Sequence, residues 1–291
     1  MEAVKGSIEL MRLLNGFMVA VAVLVGAIVS SSSGSFSYHP DFTTIAILSA
    51  FFTATSGYIL NDWKDVEIDK INCPERAIPS GKVSRNTALV LAIVFMAAGD
   101  IIIWFTNWEC ILIMMIGSVL IIAYSLWLKK AGFIGNLTVA VLTGFCLLVG
   151  GASVIPLNPL ALGMAMWPAL LAFSLNVGRE IMKGIDDYEG DKAEGANTLA
   201  VLWGRKKAAW TGVGFLSITV AISPFPFLLG YYNILYLVLA LIVDGILIVD
   251  SILILKTPTS EMGHNVKRTI KFAAFIGLLA FLVGIHGLIL P

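Results

Sequence analysis

Residues 42–69 read FTTIAILSAFFTATSGYILNDWKDVEID. The first twenty residues of this stretch are mostly apolar, and about 20 such residues span the hydrocarbon core of a bilayer as a helix. The stretch then runs directly into a cluster of carboxylates. It therefore predicts a transmembrane helix that carries several aspartates to one surface of the membrane.

The rest of the chain is as apolar as this helix. Of its 291 residues, 58% are hydrophobic and 13% are charged, whereas soluble domains carry about 25% charged residues. This is too little charge to cover a soluble protein, so we expect an all-α polytopic membrane protein. The net charge is zero, and the three cysteines show no CxxC spacing, which indicates neither a disulfide framework nor a zinc site.

Nine apolar segments predict nine transmembrane helices in a single domain over residues 1–291. The first is interpreted as a retained helix, because no small-residue cleavage pattern follows it. The nine segments are Leu13–Ser33, Phe42–Asn61, Asn86–Phe105, Cys110–Leu128, Phe133–Ile155, Ala165–Ile185, Ala208–Leu228, Asn233–Leu255 and Thr269–Leu290.

Lysines and arginines avoid every second connection between these segments. Apart from Arg179 and Lys183 near the end of the sixth segment, they precede the first helix or occupy or flank alternate connections. The positive-inside rule then places the N-terminus and the basic loops in the cytoplasm and the C-terminus outside. Two long loops on the cytoplasmic side, Asp62–Arg85 and Asp186–Lys207, are expected to cap that end of the bundle.

The first aspartate box reads NDWKDVEID over residues 61–69. Asp62, Asp65 and Asp69 follow an i, i+3, i+7 spacing, and Asn61 lies one turn before Asp65, so a continuous helix places them on one face. Stacked carboxylates repel one another unless a cation lies between them. Oxygen ligands favour hard ions such as Mg²⁺, which commonly bridges carboxylates to substrate phosphates.

The second box reads DDYEGD over residues 186–191. Asp187 and Asp191 are one helical turn apart, and Lys183 and Arg179 precede them at the same spacing. A helical face with cations beside metal ligands suits a diphosphate. A single box at a helix end is often only a solvated face, but two boxes on the same side predict a shared Mg²⁺ site.

Further polar residues flank the boxes. The cations Arg76 and Lys129 are predicted to help bind the diphosphate, although both also fit ordinary basic loops at the cytoplasmic surface. Asn15 is a candidate for acceptor binding or for a hydrogen bond between helices. The complete set of predicted acceptor contacts is Asn15, Lys82, Arg85, Tyr124 and Asn136.

Together these motifs resemble the UbiA superfamily of intramembrane prenyltransferases. The resemblance covers nearly the whole chain and is carried by the two boxes, by ERAIPSGKVS (75–84), by YSLWLKKAGFIGN (124–136) and by TLAVLWG (198–204). It implies nine helices around a central cavity with a cytoplasmic loop cap. It also implies that Mg²⁺ on both boxes binds an isoprenyl diphosphate, whose allylic carbon–oxygen bond ionises before an acceptor captures the cation. The residues then expected to act in catalysis are Asp65, Asp69, Asp187 and Lys183.

Two stretches narrow the resemblance. MRLLNGFMVAVAVLVG (11–26) and REIMKGIDDYEGD (179–191) are most similar to archaeal members that join geranylgeranyl diphosphate to the hydroxyl of geranylgeranylglyceryl phosphate through an ether bond. Gly184 and Ala77 depart from residues frequent in relatives, an aspartate and a proline. The expected partners are thus a prenyl diphosphate, a lipid-like phosphate acceptor and membrane lipids, with no nucleic acid.

Two alternatives stay open at the level of the sequence. One is an aromatic acceptor, as in quinone or haem biosynthesis, which the boxes do not exclude. The other is an ion-coupled transporter that uses Asp100, Asp244 and the Arg179–Lys183 pair inside the membrane. Against the transporter, no pair of interrupted helices occurs at matching positions.

Overall fold

The computed structural model describes residues 2–31, 40–154, 159–193 and 195–286, and these ranges contain helices and no strand. The helices are α1 (Glu2–Met11), α2 (Leu13–Ser31), α3 (Pro40–Lys64), α4 (Val66–Asn72), α5 (Arg85–Ile102), α6 (Trp108–Leu126), α7 (Phe133–Ala152), α8 (Pro159–Asp186), α9 (Tyr188–Ala193), α10 (Leu199–Trp203), α11 (Arg205–Ile222), α12 (Phe225–Leu228), α13 (Ile234–Lys256) and α14 (Ser260–Val283). The all-α prediction is confirmed.

Seven helical segments in the described ranges are long and apolar enough to cross a bilayer. They are Val4–Ser31, Asp41–Lys64, Arg85–Phe105, Trp108–Leu126, Phe133–Ala152, Arg205–Leu228 and Ile234–Lys256. The helices α8 and α14 are also longer than 20 residues, with charged residues in the last turns of α8 and in the first half of α14. The structure thus supports a multi-pass membrane protein, and the count of nine spans stays a prediction.

The chain enters its first spanning helix through a break that the sequence does not predict. The predicted first helix begins at Leu13, but the structure places a further helix, α1, before it and a single residue, Arg12, between the two. Leu10 is buried in a cluster with Ile59 and Val66. Glu9 forms a 3.0 Å ion pair with Lys82. Helix α1 is therefore packed against the end of α3 and the loop that follows α4.

Two other helices start at least six residues earlier than the apolar pattern predicts. Helix α14 begins at Ser260 instead of Thr269, because the Thr259 side chain accepts a hydrogen bond from the backbone N–H of Met262 and caps the helix. Helix α8 begins at Pro159 instead of Ala165. The predicted ends of the first, fifth and ninth helices, at residues 33, 155 and 290, lie outside the described residues.

Glycines allow two spanning helices to cross closely. A side-chain carbon at Gly26 in α2 would overlap the carbonyl oxygen of Leu147 in α7, and one at Gly150 in α7 would overlap the carbonyl oxygen of Val23 in α2. Small residues let backbones approach in this way in membrane helix pairs. This contact fixes α2, which follows Arg12, against the centre of the bundle.

The two aspartate boxes lie at the same end of the bundle. Lys129, in the turn between α6 and α7, forms an ion pair with Asp65. Lys267 of α14 pairs with Asp186 at the end of α8, and Arg205 donates to the hydroxyl of Ser260 at 3.0 Å. The ends of α3, α6, α8 and α13 thus converge with their loops, and this end is called the charged end below.

Candidate active site

The first box extends across a bend between two helices. Asn61 and Asp62 are in the last turn of α3, Asp65 is the N-cap of α4, and Asp69 is in α4. The backbone N–H of Asp65 donates to the carbonyl of Asn61 at 2.9 Å, and that of Asp69 donates to the carbonyl of Asp65 at 2.8 Å. The helical spacing therefore persists through the bend. The three aspartates are only 5–8% exposed.

Each of these buried carboxylates has a cation. Arg12 donates to Asp62 at 2.5 Å, Arg76 donates to both oxygens of Asp69 at 2.8 Å, and Lys129 pairs with Asp65. Burial lowers the pKa of Arg76, but its hydrogen bond to Asp69 and the charges of Asp69 and Asp62 outweigh this effect, so the pKa is raised overall. The cations thus balance the charge of the box within the fold.

The donor atoms of the first box fit a hard divalent cation. Besides the three carboxylates, the side-chain oxygen of Asn61 is buried and has no hydrogen-bond partner, and a buried acceptor without a partner is costly. Within the described ranges, no three carboxylate, imidazole or thiol side chains already lie close enough together to enclose a metal ion. An all-oxygen set that includes an unsatisfied amide oxygen suits Mg²⁺ bound partly by substrate oxygens.

The second box surrounds the end of α8. Asp187 forms the turn between α8 and α9, and Asp191 lies in α9 one turn later, with its N–H bonded to the Asp187 carbonyl at 2.9 Å. Both line a surface depression that also includes Ser260. Asp186 has a different environment, because it pairs with Lys267 and lies 3.4 Å from His264. The neighbouring aspartates therefore differ in role, and Asp186 joins α8 to α14.

The surroundings of Asp187 favour a bound cation. Burial raises the pKa of Asp187 above its ordinary value, and the nearby Lys183 and Lys267 offset part of this increase. A carboxyl with a raised pKa in the fold contributes stability at low pH that is lost as the pH rises through that pKa. The side chain of Asp187 is nevertheless exposed to solvent, so a cation from solution can reach its carboxylate.

An apolar cavity of about 530 Å³ lies inside the bundle and reaches the charged end. At that end its wall includes Asn15, Asn61, Tyr124 and Arg179. Toward the other end the wall is mainly aliphatic and aromatic, with Asp244 among the few polar groups. The cavity thus joins both box-bearing helices to an apolar interior.

The structure separates the predicted acceptor contacts into two groups. Asn15 and Tyr124 line the cavity, whereas Lys82, Arg85 and Asn136 are outside its wall. Lys82 pairs with Glu9. Arg85 lies 5.0 Å from the ring centre of Trp63, and Asn136 is in the first turn of α7. Of the other predicted residues, Lys183 is exposed on the last turns of α8, beside Asp187.

Two residues at the charged end were missed by the sequence reasoning. Arg12 contacts Asp62, and Glu180, whose side chain is 10% exposed, accepts from Arg179 at 2.5 Å. Arg12 and Glu180 could be noticed as charges beside apolar runs, but their partners are fixed only by tertiary packing.

The aspartates inside the membrane have local partners. Asp100 accepts a hydrogen bond from Ser118 at 2.6 Å, and Asp244 accepts one from Ser223 at the same distance. Each pair joins two neighbouring helices and contains one carboxyl and one hydroxyl. These contacts are typical of hydrogen bonds between membrane helices, and they give no support to a chain of charges for coupled transport.

Comparison with known proteins identifies the fold and its relatives. The model of the UbiA prenyltransferase family matches residues 19–279. The digeranylgeranylglyceryl phosphate synthase of Thermococcus kodakarensis is 36% identical over 281 residues, which cover 96% of this chain and 97% of that protein.

Solved structures give the same result. A structure concerned with digeranylgeranylglyceryl phosphate synthase in membranes superposes with a TM-score of 0.83 at 32% identity, covering 98% of this chain and 99% of that one. A UbiA homolog from Archaeoglobus fulgidus, bound to DMAPP and Mg²⁺, superposes with a TM-score of 0.68 at 17% identity, covering 95% and 99%. At that low identity the second likeness shows the fold alone.

Proposed function

Because this chain belongs to the UbiA prenyltransferase family, we propose that it transfers a geranylgeranyl group from geranylgeranyl diphosphate to the hydroxyl of geranylgeranylglyceryl phosphate. The reaction depends on Mg²⁺ and forms an ether bond of archaeal membrane lipids. Full-length similarity to synthases named for this product supports the choice of acceptor over an aromatic ring or a transported ion. The enzyme is a multi-pass membrane prenyltransferase.

The observation that carries the proposal is the junction of the buried first box with the apolar cavity. Asn61 belongs to both, since it lines the cavity and presents an unsatisfied oxygen. A diphosphate needs hard-cation ligands and an isoprenyl tail needs an apolar space, and the two meet here. The proposed metal ligands are Asn61, Asp62, Asp65, Asp69, Asp187 and Asp191, and Mg²⁺ would neutralise the charge that develops on the leaving diphosphate.

The side chains of this enzyme have distinct tasks in the reaction. Arg76, Lys129, Arg179 and Lys183 hold diphosphate oxygens and stabilise their growing charge as the allylic carbon–oxygen bond breaks. The apolar cavity wall keeps water away from the allylic cation. The acceptor hydroxyl then forms a bond to that carbon and releases its proton, so that the products are an ether, diphosphate and one proton.

The acceptor is proposed to enter beside the wall formed by Asn15 and Tyr124. Both line the cavity at the charged end, where the reacting carbon must lie. The roles of Lys82, Arg85 and Asn136 in acceptor binding stay predictions, because these residues lie outside the wall.

The proposed arrangement in the membrane follows from the charge distribution. Nine helices surround the cavity, with α8 and α14 as the two that complete the seven clearly apolar spans. The charged end faces the cytoplasm, with the N-terminus inside and the C-terminus outside, as the positive-inside rule favours. The charges in α8 are then the ones that hold substrate.

An acceptor panel tests the proposal. Purified enzyme with geranylgeranyl diphosphate and Mg²⁺ is supplied with geranylgeranylglyceryl phosphate, 4-hydroxybenzoate or a dihydroxynaphthoate, and diphosphate release and lipid products are measured. We expect a diether product with the first acceptor and none with the aromatic ones. A product formed only with an aromatic acceptor, or substrate flux in proteoliposomes without any covalent product, would overturn the assignment.

A further inference from the structure

Arg12 has a backbone conformation that an arginine rarely adopts. Its φ angle is +45°, and within the described ranges it is the one non-glycine residue with a positive φ. In this region the side-chain carbon of an L-residue crowds the backbone, so glycine is the residue that normally occupies it. Such strain persists when the surroundings impose it, and it clusters at functional sites.

The neighbouring hydrogen bonds show that this break is a built feature. The N–H of Arg12 donates to the carbonyl of Glu9 at 3.2 Å, which closes the last turn of α1. The carbonyl of Arg12 accepts from Asn15 at 2.8 Å and from Gly16 at 3.2 Å, which begins α2. A glycine would satisfy the same bonds without strain, so the backbone does not explain why an arginine is present.

The guanidinium explains it. It donates to Asp62 at 2.5 Å and lies 5.8 Å from the ring centre of Tyr58. Tyr58 and Asn15 both line the cavity, so Arg12 lies at the edge between the first box and the cavity wall. Its side chain remains 36% exposed. The contact with Asp62 uses one of its five donor hydrogens and leaves others for an anion.

The reaction brings two anions to this edge. The donor diphosphate is held by the boxes and their cations. The acceptor has a phosphate of its own, and in a glycerol backbone every hydroxyl lies within two carbons of the phosphate ester. When that hydroxyl reaches the allylic carbon, the phosphate must therefore lie beside the first box, where it needs a further cation.

The other cations of the first box are less suited to this phosphate. Arg76 uses one nitrogen on both oxygens of Asp69 and also approaches Asp62 at 3.9 Å. Lys129 pairs with Asp65. Arg12 instead comes from the α1–α2 break, next to Asn15 on the wall proposed for the acceptor. A guanidinium also matches a phosphate through two parallel hydrogen bonds.

We propose that Arg12 binds the phosphate of the acceptor and thereby selects a phosphorylated glycerol lipid. The proposal rests on the function assigned above and extends it to one residue. Arg12 positions the acceptor hydroxyl through this phosphate, and Asp62 orients the guanidinium. The conformational strain at residue 12 is retained because a glycine there would remove the phosphate contact.

The variant Arg12→Gly removes the side chain without adding backbone strain, because glycine suits the positive φ. Loss of the ion pair with Asp62 acts on both acceptors alike, so the difference between a phosphorylated and an unphosphorylated acceptor reports the phosphate contact. Binding of geranylgeranylglyceryl phosphate and of unphosphorylated geranylgeranylglycerol is measured without donor, by calorimetry on the purified full chain. Turnover is measured with both acceptors. Arg12→Lys keeps the charge, and Lys5→Ala, an exposed cation on α1, is the matched control.

We expect Arg12→Gly to weaken binding of the phosphorylated acceptor by about 30-fold or more, with little change for the unphosphorylated one. The KM for the donor should stay close to wild type, Arg12→Lys should be intermediate, and Lys5→Ala should behave as wild type. Equal losses for both acceptors, an unchanged preference for phosphate, or a rise confined to the donor KM would each overturn the proposal. If the wild type binds the phosphorylated acceptor through Arg12 but does not prenylate it, the assigned function fails and the phosphate site stands.

Discussion

Asp65 and Glu67 lie two residues apart in the same acidic stretch but in different surroundings. Asp65 is buried and paired with Lys129, whereas Glu67 is exposed and pairs with Lys70 at 2.9 Å. Asp65→Asn removes a proposed metal ligand, so we expect diphosphate release to fall by about 100-fold or more. Glu67→Gln should stay within about twofold of wild type, because exposed pairs contribute little. Similar rates for the two variants would contradict the metal assignment.

Asp187 gives a prediction that does not depend on turnover. Because the pKa of Asp187 is raised, protons compete with a cation for its carboxylate up to a higher pH than they do at an ordinary aspartate. Added Mg²⁺ should therefore raise the melting temperature more at pH 7.5 than at pH 5, by roughly 2–4 °C for each kcal/mol of binding free energy. The measurement is a thermal-shift series across pH.

The variants for this series are Asp187→Asn and, as the control, Glu261→Gln, an exposed carboxylate at the start of α14. Asp187→Asn should lose most of the pH-dependent part of the Mg²⁺ effect, and Glu261→Gln should keep it. If Asp187→Asn responded to Mg²⁺ as the wild type does at both pH values, Asp187 would not be a ligand.

At this scale the sequence predicts the helical spacing of the aspartates better than it predicts the partners of the charged residues. Spacing alone placed Asp62, Asp65 and Asp69 on one helical face, because 3.6-residue periodicity is local. Arg12 and Glu180 were missed, because their partners depend on how α1, α2 and α8 pack. Proximity in sequence did not predict that the guanidinium of Arg85 lies over Trp63 and outside the cavity wall, and its role in acceptor binding stays a prediction.

The pair formed by α2 and α7 makes a testable element, since its glycines allow two backbones to touch. Gly150→Ala places a methyl group against the carbonyl of Val23, which cannot move without shifting α2. We expect a loss of about 1–3 kcal/mol in stability, as for overpacked cores, seen as a lower melting temperature in detergent.

Gly214→Ala is the control for this substitution, because a methyl group at Gly214 in α11 meets no atom within 4 Å. It should leave the melting temperature unchanged or raise it slightly, since alanine favours helix by roughly 1 kcal/mol over glycine. Equal effects of the two substitutions would show that the α2–α7 contact is looser than described.

Hydrophobic runs predicted the interiors of the helices well and their ends poorly. The apolar pattern placed the centres of α3, α5 and α13 within a few residues. It missed the first nine residues of α14, because most of the residues from Ser260 to Arg268 are polar and a capping threonine, not an apolar run, begins that helix. The break at Arg12 was also missed, because the amino-acid composition of a segment does not predict a positive φ at an arginine.

For the whole molecule, the arrangement in the membrane is the prediction with the widest consequences. Single cysteines at Ser80, on the charged end, and at Leu229, on the opposite end, are introduced after the native cysteines are replaced. Both positions are exposed. A membrane-impermeant maleimide should label Leu229→Cys in intact cells and Ser80→Cys only after the membrane is opened. The reverse pattern would place the active site outside the cytoplasm.

The global arrangement explains why two distant segments can form one site. The boxes are separated by more than 100 residues, yet α3 and α8 end on the same cavity. The alternation of basic and polar-poor loops predicted this shared side, because an even number of crossings, the third to the sixth predicted helices, leads from one box to the other. The sequence could not predict the cavity wall, since residues from most of the helices contribute to it.

The most direct test follows the oxygen atom of the acceptor. Geranylgeranylglyceryl phosphate labelled with ¹⁸O in its free hydroxyl is incubated with the enzyme, geranylgeranyl diphosphate and Mg²⁺, and both products are analysed by mass spectrometry. If the allylic carbon–oxygen bond breaks as proposed, the label stays in the ether of the product, the diphosphate is unlabelled, and chelation of Mg²⁺ stops both signals. Label in the released diphosphate, or no ether product with active metal-loaded enzyme, would contradict the account.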